Sequence, residues 1–99
     1  MTDRELLSAV SQVTGIPINR IIKRAHSSKR PEVDARCLAV LAQRSLRPEL
    51  AVIHLGEFVG LGTSSGSLAL KRGNRRYHEC KEFRKLARQV MGKIQLGES

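Results

Sequence analysis

The chain has few of the residues that build aromatic cores, disulfide frameworks or membrane spans. Its 99 residues include no Trp, two Phe and one Tyr, so we expect a core of Leu, Val, Ile and Ala. Cysteine occurs only at Cys37 and Cys80, and both are expected to be reduced thiols in a cytosolic protein. No apolar run approaches the roughly 18–20 residues of a membrane span, and no signal peptide is evident. The sequence predicts one cytoplasmic domain over 1–95 with a frayed tail over 96–99.

Motifs for enzymatic chemistry are also missing. No phosphate-binding Gly-x-x-x-x-Gly-Lys-Ser/Thr motif occurs, and the glycines of 60–66 follow no strand-like run. His78 and Cys80 form a near pair, without the second pair that structural zinc requires. The serines of 64–67 lie beside no nucleophile elbow. We therefore expect no catalytic site, no cofactor, no metal and no small-molecule substrate.

Positive charge is what the chain has in excess. Eighteen Lys and Arg against nine Asp and Glu give a formal net charge of +9. This balance attracts polyanions, and double-stranded DNA is the leading candidate partner, at the nucleoid. The charge balance leaves the oligomeric state open.

Apolar residues recur at helical spacing, and no segment alternates long enough to predict a strand. The pattern predicts an all-α, compact bundle of about six helices. The expected helices cover 3–14, 20–24 with Asn19 as cap, a third from Pro31 to the turn at 46–48, 49–59, 64–78 and 80–94. Because the third is apolar almost all round over 37–42, we expect it at the centre of the bundle.

Residues 49–77 have the form of a helix-turn-helix. The segment 49–59 would be the support helix, 61–63 the turn and 64–78 the second helix. An inward stripe of that helix contains Gly66, Leu70, Gly73 and Tyr77. The two glycines would let it cross a neighbour closely.

The opposite face of the second helix predicts DNA contacts. Hydroxyl groups at a helix start can bond phosphates or base edges, and later basic side chains can bind bases or phosphates. The basic loop before the third helix is a further candidate. We assign DNA contacts to Lys29, Arg30, Thr63, Ser64, Ser65, Ser67, Leu68, Lys71, Arg72 and Arg75. An ordinary solvated basic face is the alternative, and that is how we interpret a third cluster, at Lys81, Arg84, Lys85 and Arg88.

Three segments carry a family resemblance: Gly15-Ile-Pro-Ile, Arg36 with Leu38-Ala-Val-Leu-Ala, and Leu55-Gly-Glu-Phe-Val-Gly. Together with the order of the predicted parts, they resemble the C-terminal DNA-binding domain of the bacterial chromosomal replication initiator, DnaA. The resemblance extends from about Glu5 to Ile94. It implies a Trp-repressor-like helix-turn-helix fold, sequence-preferring DNA binding and a basic loop before the central helix.

The recognition helix departs from that family. The family helix opens with Asp-His-Thr-Thr, where this chain has Thr63-Ser-Ser-Gly, and the family's minor-groove arginine falls on Asp34. The segment 67–73 looks more like the module at the C-terminus of transposases associated with repetitive extragenic palindromes. The alternatives are therefore the DNA-targeting module of a larger transposase, a nonspecific nucleic-acid or RNA-binding protein, and an adaptor.

Overall fold

Helices provide the regular structure of residues 3–22, 30–51 and 54–97, which the computed structural model describes. The α-helices are α1 (Asp3–Thr14), α2 (Ile18–Ile21), α3 (Arg30–Leu46), α4 (Thr63–Glu79) and α5 (Lys81–Gly97), and a 3-10 turn lies at Glu57–Val59. Over these ranges there is no strand, which confirms the predicted all-α bundle. No helix within them has the length and hydrophobicity of a membrane span.

The central position predicted for the third helix is confirmed. α3 packs against α1, α2, α4 and α5. Its middle is buried on nearly every side, at Ala35, Cys37, Leu38, Ala39, Val40 and Ala42. The small residues in this run let the neighbouring helices approach α3, and the larger ones fill the core between them.

Arg36 joins α2 to α3 from inside the core. Its side chain is 4% exposed, and its Nε donates a hydrogen bond of 2.7 Å to the carbonyl oxygen of Ile21. A terminal nitrogen donates to the carbonyl oxygen of Arg20 at 3.2 Å and lies 4.0 Å from the Glu32 carboxylate. Burial lowers the pKa of the guanidinium, and the charge of Glu32 opposes that shift. Because the last carbonyls of a helix have no partner within it, Arg36 supplies the donors that α2 lacks.

Replacing Arg36 by Met should lower the free energy of unfolding by about 2–4 kcal/mol, because the carbonyl oxygen of buried Ile21 would lose its charged donor. Urea unfolding followed by circular dichroism measures this change. Arg20→Met is the control, since that side chain is 66% exposed in its ion pair with Glu32. Equal stability of the two variants would contradict this role for Arg36.

The two cysteines are free thiols in different surroundings. Cys37 is buried in α3, and Cys80 is half-buried between α4 and α5. Burial, with the nearby Asp34 carboxylate as a second cause, raises the pKa of Cys37 from 9.0 to about 11. Since the thiolate is the reactive form, Cys37 is a protected thiol at neutral pH.

The raised pKa of Cys37 predicts a pH dependence of labelling and of stability. At pH 8, iodoacetamide should modify Cys80 and spare Cys37, as mass spectrometry of the digested protein would show.

The folded state favours the neutral thiol of Cys37, so the stabilising contribution of this thiol is complete below pH 9 and is lost as the pH rises from about 9 towards 11. In the Cys37→Ala variant the free energy of unfolding should not show this decline between about pH 9 and 11. The same dependence on pH in the variant and the unmodified protein would contradict the prediction.

The second helix differs from its predicted bounds. It was expected over 20–24 after Asn19, but α2 begins directly after Pro17, whose φ of −58° suits a helix start. The carbonyl oxygen of Pro17 accepts hydrogen bonds from the N–H groups of Arg20 and Ile21. Residues 23 and 24 lie outside the described part of the chain.

The prediction of a helix over 49–59 is wrong. Within that range the described residues form a turn near Leu50 and the short 3-10 turn at 57–59. Gly56 and Gly60 have φ angles of 87° and 76°, which a right-handed helix excludes. The N–H of Gly56 donates instead to the side-chain oxygen of buried Gln43, at 3.3 Å. We call residues 54–62 the glycine turn.

The last two helices lie close to their predicted positions. α4 begins at Thr63 and ends at Glu79, and α5 begins at Lys81. α5 continues to Gly97, so the first two residues of the expected tail are helical. Residues 98–99 lie outside the described range.

Candidate nucleic-acid interface

Gly66 and Gly73 let α4 pack closely against neighbouring backbone, and we call this contact the glycine seat. A Cβ built on Gly66 would overlap the carbonyl oxygen of Leu55 in the glycine turn. A Cβ on Gly73 would lie 3.2 Å from the carbonyl oxygen of Cys37 in α3. Ala69 between them is also buried. The predicted inward stripe of α4 is therefore confirmed, with glycine at two positions where neighbouring backbone lies close to α4.

The outward side of α4 carries a row of exposed side chains directly opposite this seat. The row contains Ser64, Leu68, Lys71 and Arg75, which are spaced like the inward stripe. Exposed Arg72 and half-buried Ser65 and Ser67 lie on its two sides. The only acidic residue in α4 is Glu79, at the end remote from the serines. We call these seven residues the outward face.

The length of the outward face matches part of a duplex groove. From Ser64 to Arg75 the α-carbon positions span about 16 Å at a helical rise of about 1.5 Å per residue. Measured along the axis of B-form DNA, this length corresponds to at most about five base-pair steps, and the major groove, about 12 Å wide, admits an α-helix. The hydroxyl groups lie at the N-terminal end of the face and the cations towards its C-terminal end.

Three of the predicted contact residues cannot be placed on this face. Lys29 lies outside the described residues. Arg30 begins α3 and Thr63 begins α4, but their side chains are outside the described part of the structure. Their contacts with DNA stay predictions from the sequence.

Arg76 has a structural role that its neighbours on the outward face do not share. A terminal nitrogen of Arg76 lies 2.9 Å from the Asp34 carboxylate, and its guanidinium lies 5.6 Å from the centre of the Phe83 ring. Arg76 thus connects α4 with α3 and α5. Asp34 occupies the position where the resemblance implies a DNA-contacting arginine, and here its carboxylate makes an internal ion pair.

Arg84 was interpreted as part of a solubilising face, and that interpretation is wrong. Its Nε donates to the carbonyl oxygen of Tyr77 and a terminal nitrogen donates to that of His78, both at 2.9 Å. The guanidinium also lies 5.8 Å from the centre of the Tyr77 ring. Arg84 therefore caps the C-terminal end of α4, where carbonyls lack helical partners. A basic residue shortly after a helix end was the signal for this role.

The remaining members of that third cluster do lie at the surface. Lys81, Lys85 and Arg88 are all exposed on α5. These three cations lie on a different helix from the outward face, which also carries three. They therefore allow the same number of charges to be removed away from that face as a control.

One cavity lies apart from the outward face. It has a volume of about 430 Å³ and lies between α3, α4 and α5, with a mainly apolar lining that includes Leu41, Tyr77 and Met91. In the described residues, no group of three or more His, Cys, Asp or Glu side chains is placed to hold a metal ion.

No protein-family model, curated protein or solved structure matches the chain. The evidence on function is therefore the arrangement of the α4 side chains and of the elements that hold α4 in place.

Proposed function

We propose that the chain binds double-stranded DNA by inserting the outward face of α4 into the major groove. The supporting observation is the division of α4 into two sides, one seated on backbone through glycines and the other exposed, basic and hydroxyl-rich. The glycine turn, together with α3, takes the place of the support helix. A rigid seat of this kind fixes the direction of the side chains that face the groove.

The cations of the outward face are available to a ligand. Lys71, Arg72 and Arg75 are exposed, and among the described residues none of them forms an ion pair, in contrast to Arg76. Lys and Arg side chains bind phosphate oxygens, and Arg also pairs with guanine edges in the major groove. The formal charge of +9 adds a long-range attraction to DNA.

The docking follows the mode that the resemblance implies, with different base contacts. The N-terminal serines approach base edges, and the later cations bind phosphates or bases. Ser64 and Ser65 occupy two positions of the Asp-His-Thr-Thr motif of the initiator family. The preferred sequence is consequently expected to differ from the initiator's origin box.

A salt titration of binding tests the proposal. Fluorescence anisotropy of the full chain with labelled duplex DNA, duplex RNA and single strands would be compared at several salt concentrations. If about six phosphates are neutralised, the logarithm of the association constant should fall against the logarithm of salt with a slope of about −5. Absence of duplex DNA binding at low salt, or equal binding to duplex RNA, would overturn the proposal.

Random-site selection with the same chain tests sequence preference. We expect a short enriched sequence, because the outward face spans at most about five base-pair steps. Recovery of unrelated sequences would indicate a nonspecific DNA-binding module instead.

A further inference from the structure

We infer that Leu68 is a specificity-determining residue that reads the 5-methyl group of a thymine in the major groove. This inference depends on the proposed function of α4. Leu68 is 47% exposed and is the one large hydrophobic residue of the described chain that is exposed to this degree. The other large apolar residues of α4, Leu70 and Tyr77, pack against the core.

The position of Leu68 distinguishes it from an ordinary exposed leucine. Single apolar residues are common on protein surfaces and need no special explanation. Leu68, however, lies at the centre of the outward face, one helical turn after Ser64 and one turn before Arg72. It is directly opposite the glycine seat, so it would be among the first groups of α4 to enter a groove.

The chemistry of the groove indicates what Leu68 would contact. The base edges in the major groove present hydrogen-bond donors and acceptors, and the 5-methyl group of thymine is the apolar group among them. Burying a leucine against donors and acceptors would leave them without hydrogen bonds, which is costly. Contact between Leu68 and a thymine methyl removes apolar surface of both groups from water. Thymine is therefore the base that Leu68 favours.

The experiment removes the methyl group from the DNA. Each thymine of the sequence recovered by random-site selection is replaced singly by deoxyuridine, which keeps the Watson–Crick edge, and the dissociation constant is measured for each duplex. We expect one or two positions at which the unmodified protein binds about fourfold more weakly, the size expected for one buried methyl group. Leu68→Ala should bind the thymine and deoxyuridine duplexes equally, and Leu68→Met should keep the discrimination.

Several results would overturn the role of Leu68 in reading a thymine. Discrimination at the same positions by Leu68→Ala, no discrimination by the unmodified protein, or no preferred sequence in the selection would overturn it. It would also be overturned if size-exclusion chromatography showed a dimer that Leu68→Ala dissociates, because Leu68 would then be covered by a second copy. Failure to bind any duplex at low salt overturns the proposed function itself, which the salt titration detects separately.

Discussion

Replacing Lys71, Arg72 and Arg75 together by Ala is expected to weaken binding to duplex DNA at least about 100-fold. Each such contact contributes roughly 1–3 kcal/mol, and about 1.4 kcal/mol corresponds to a tenfold change in affinity. If all three side chains neutralise phosphates, the salt slope should also become shallower by about 2.7. Anisotropy titrations of both proteins over the same salt range measure both quantities.

The triple variant should keep its fold. All three side chains are exposed, and Ala favours helix at least as well as Lys or Arg. The helical signal in circular dichroism and the midpoint of urea unfolding are therefore expected to change little. A loss of affinity in a variant with an unchanged helical signal then reports on contacts with DNA.

A second triple variant on α5 separates specific contacts from total charge. Lys81, Lys85 and Arg88 are exposed, and changing them to Ala removes the same charge from a different helix. We expect this variant to lose less than about tenfold in affinity for duplex DNA, because it loses only long-range attraction. Comparable losses from the two variants would show that bulk charge, and not the outward face, determines binding.

Local signals in the sequence were sufficient for most of the helices and for the two sides of α4. The spacing of Gly66, Leu70, Gly73 and Tyr77 predicted the seated side, and close approach to neighbouring backbone explains the glycines. The apolar run in the third helix predicted its central position. These features depend on residues within a few helical turns of one another, so periodicity detects them.

The features that the sequence analysis missed depend on contacts between distant segments. The glycine turn replaces a helix because Gly56 adopts a left-handed conformation and donates to Gln43 of α3. The ion pair of Arg76 with Asp34 also joins residues far apart in the chain. Periodicity contains no information on such pairs, and the positive φ of a glycine becomes evident only when its neighbours are placed.

Changing Gly66 to Ala is expected to destabilise the protein by about 2 kcal/mol or more, although Ala normally favours helix over Gly by about 1 kcal/mol. The added Cβ would overlap the carbonyl oxygen of Leu55, a backbone atom that no side-chain rotation can move. Either α4 or the glycine turn must then shift away from its seat. For a domain of this size the melting temperature should fall by about 10 °C, as calorimetry would measure.

Gly92→Ala is the matched control, because Gly92 lies within α5 and a Cβ there meets nothing within 4 Å. It should stabilise the protein by about 0.5–1 kcal/mol, since only the helix preference and the entropy of the unfolded chain change. Gly73→Ala should fall between the two, because its Cβ would lie 3.2 Å from the Cys37 carbonyl oxygen and a small shift could accommodate it. If Gly66→Ala were as stable as Gly92→Ala, α4 would not be seated against Leu55, and the direction of its outward face would no longer be fixed.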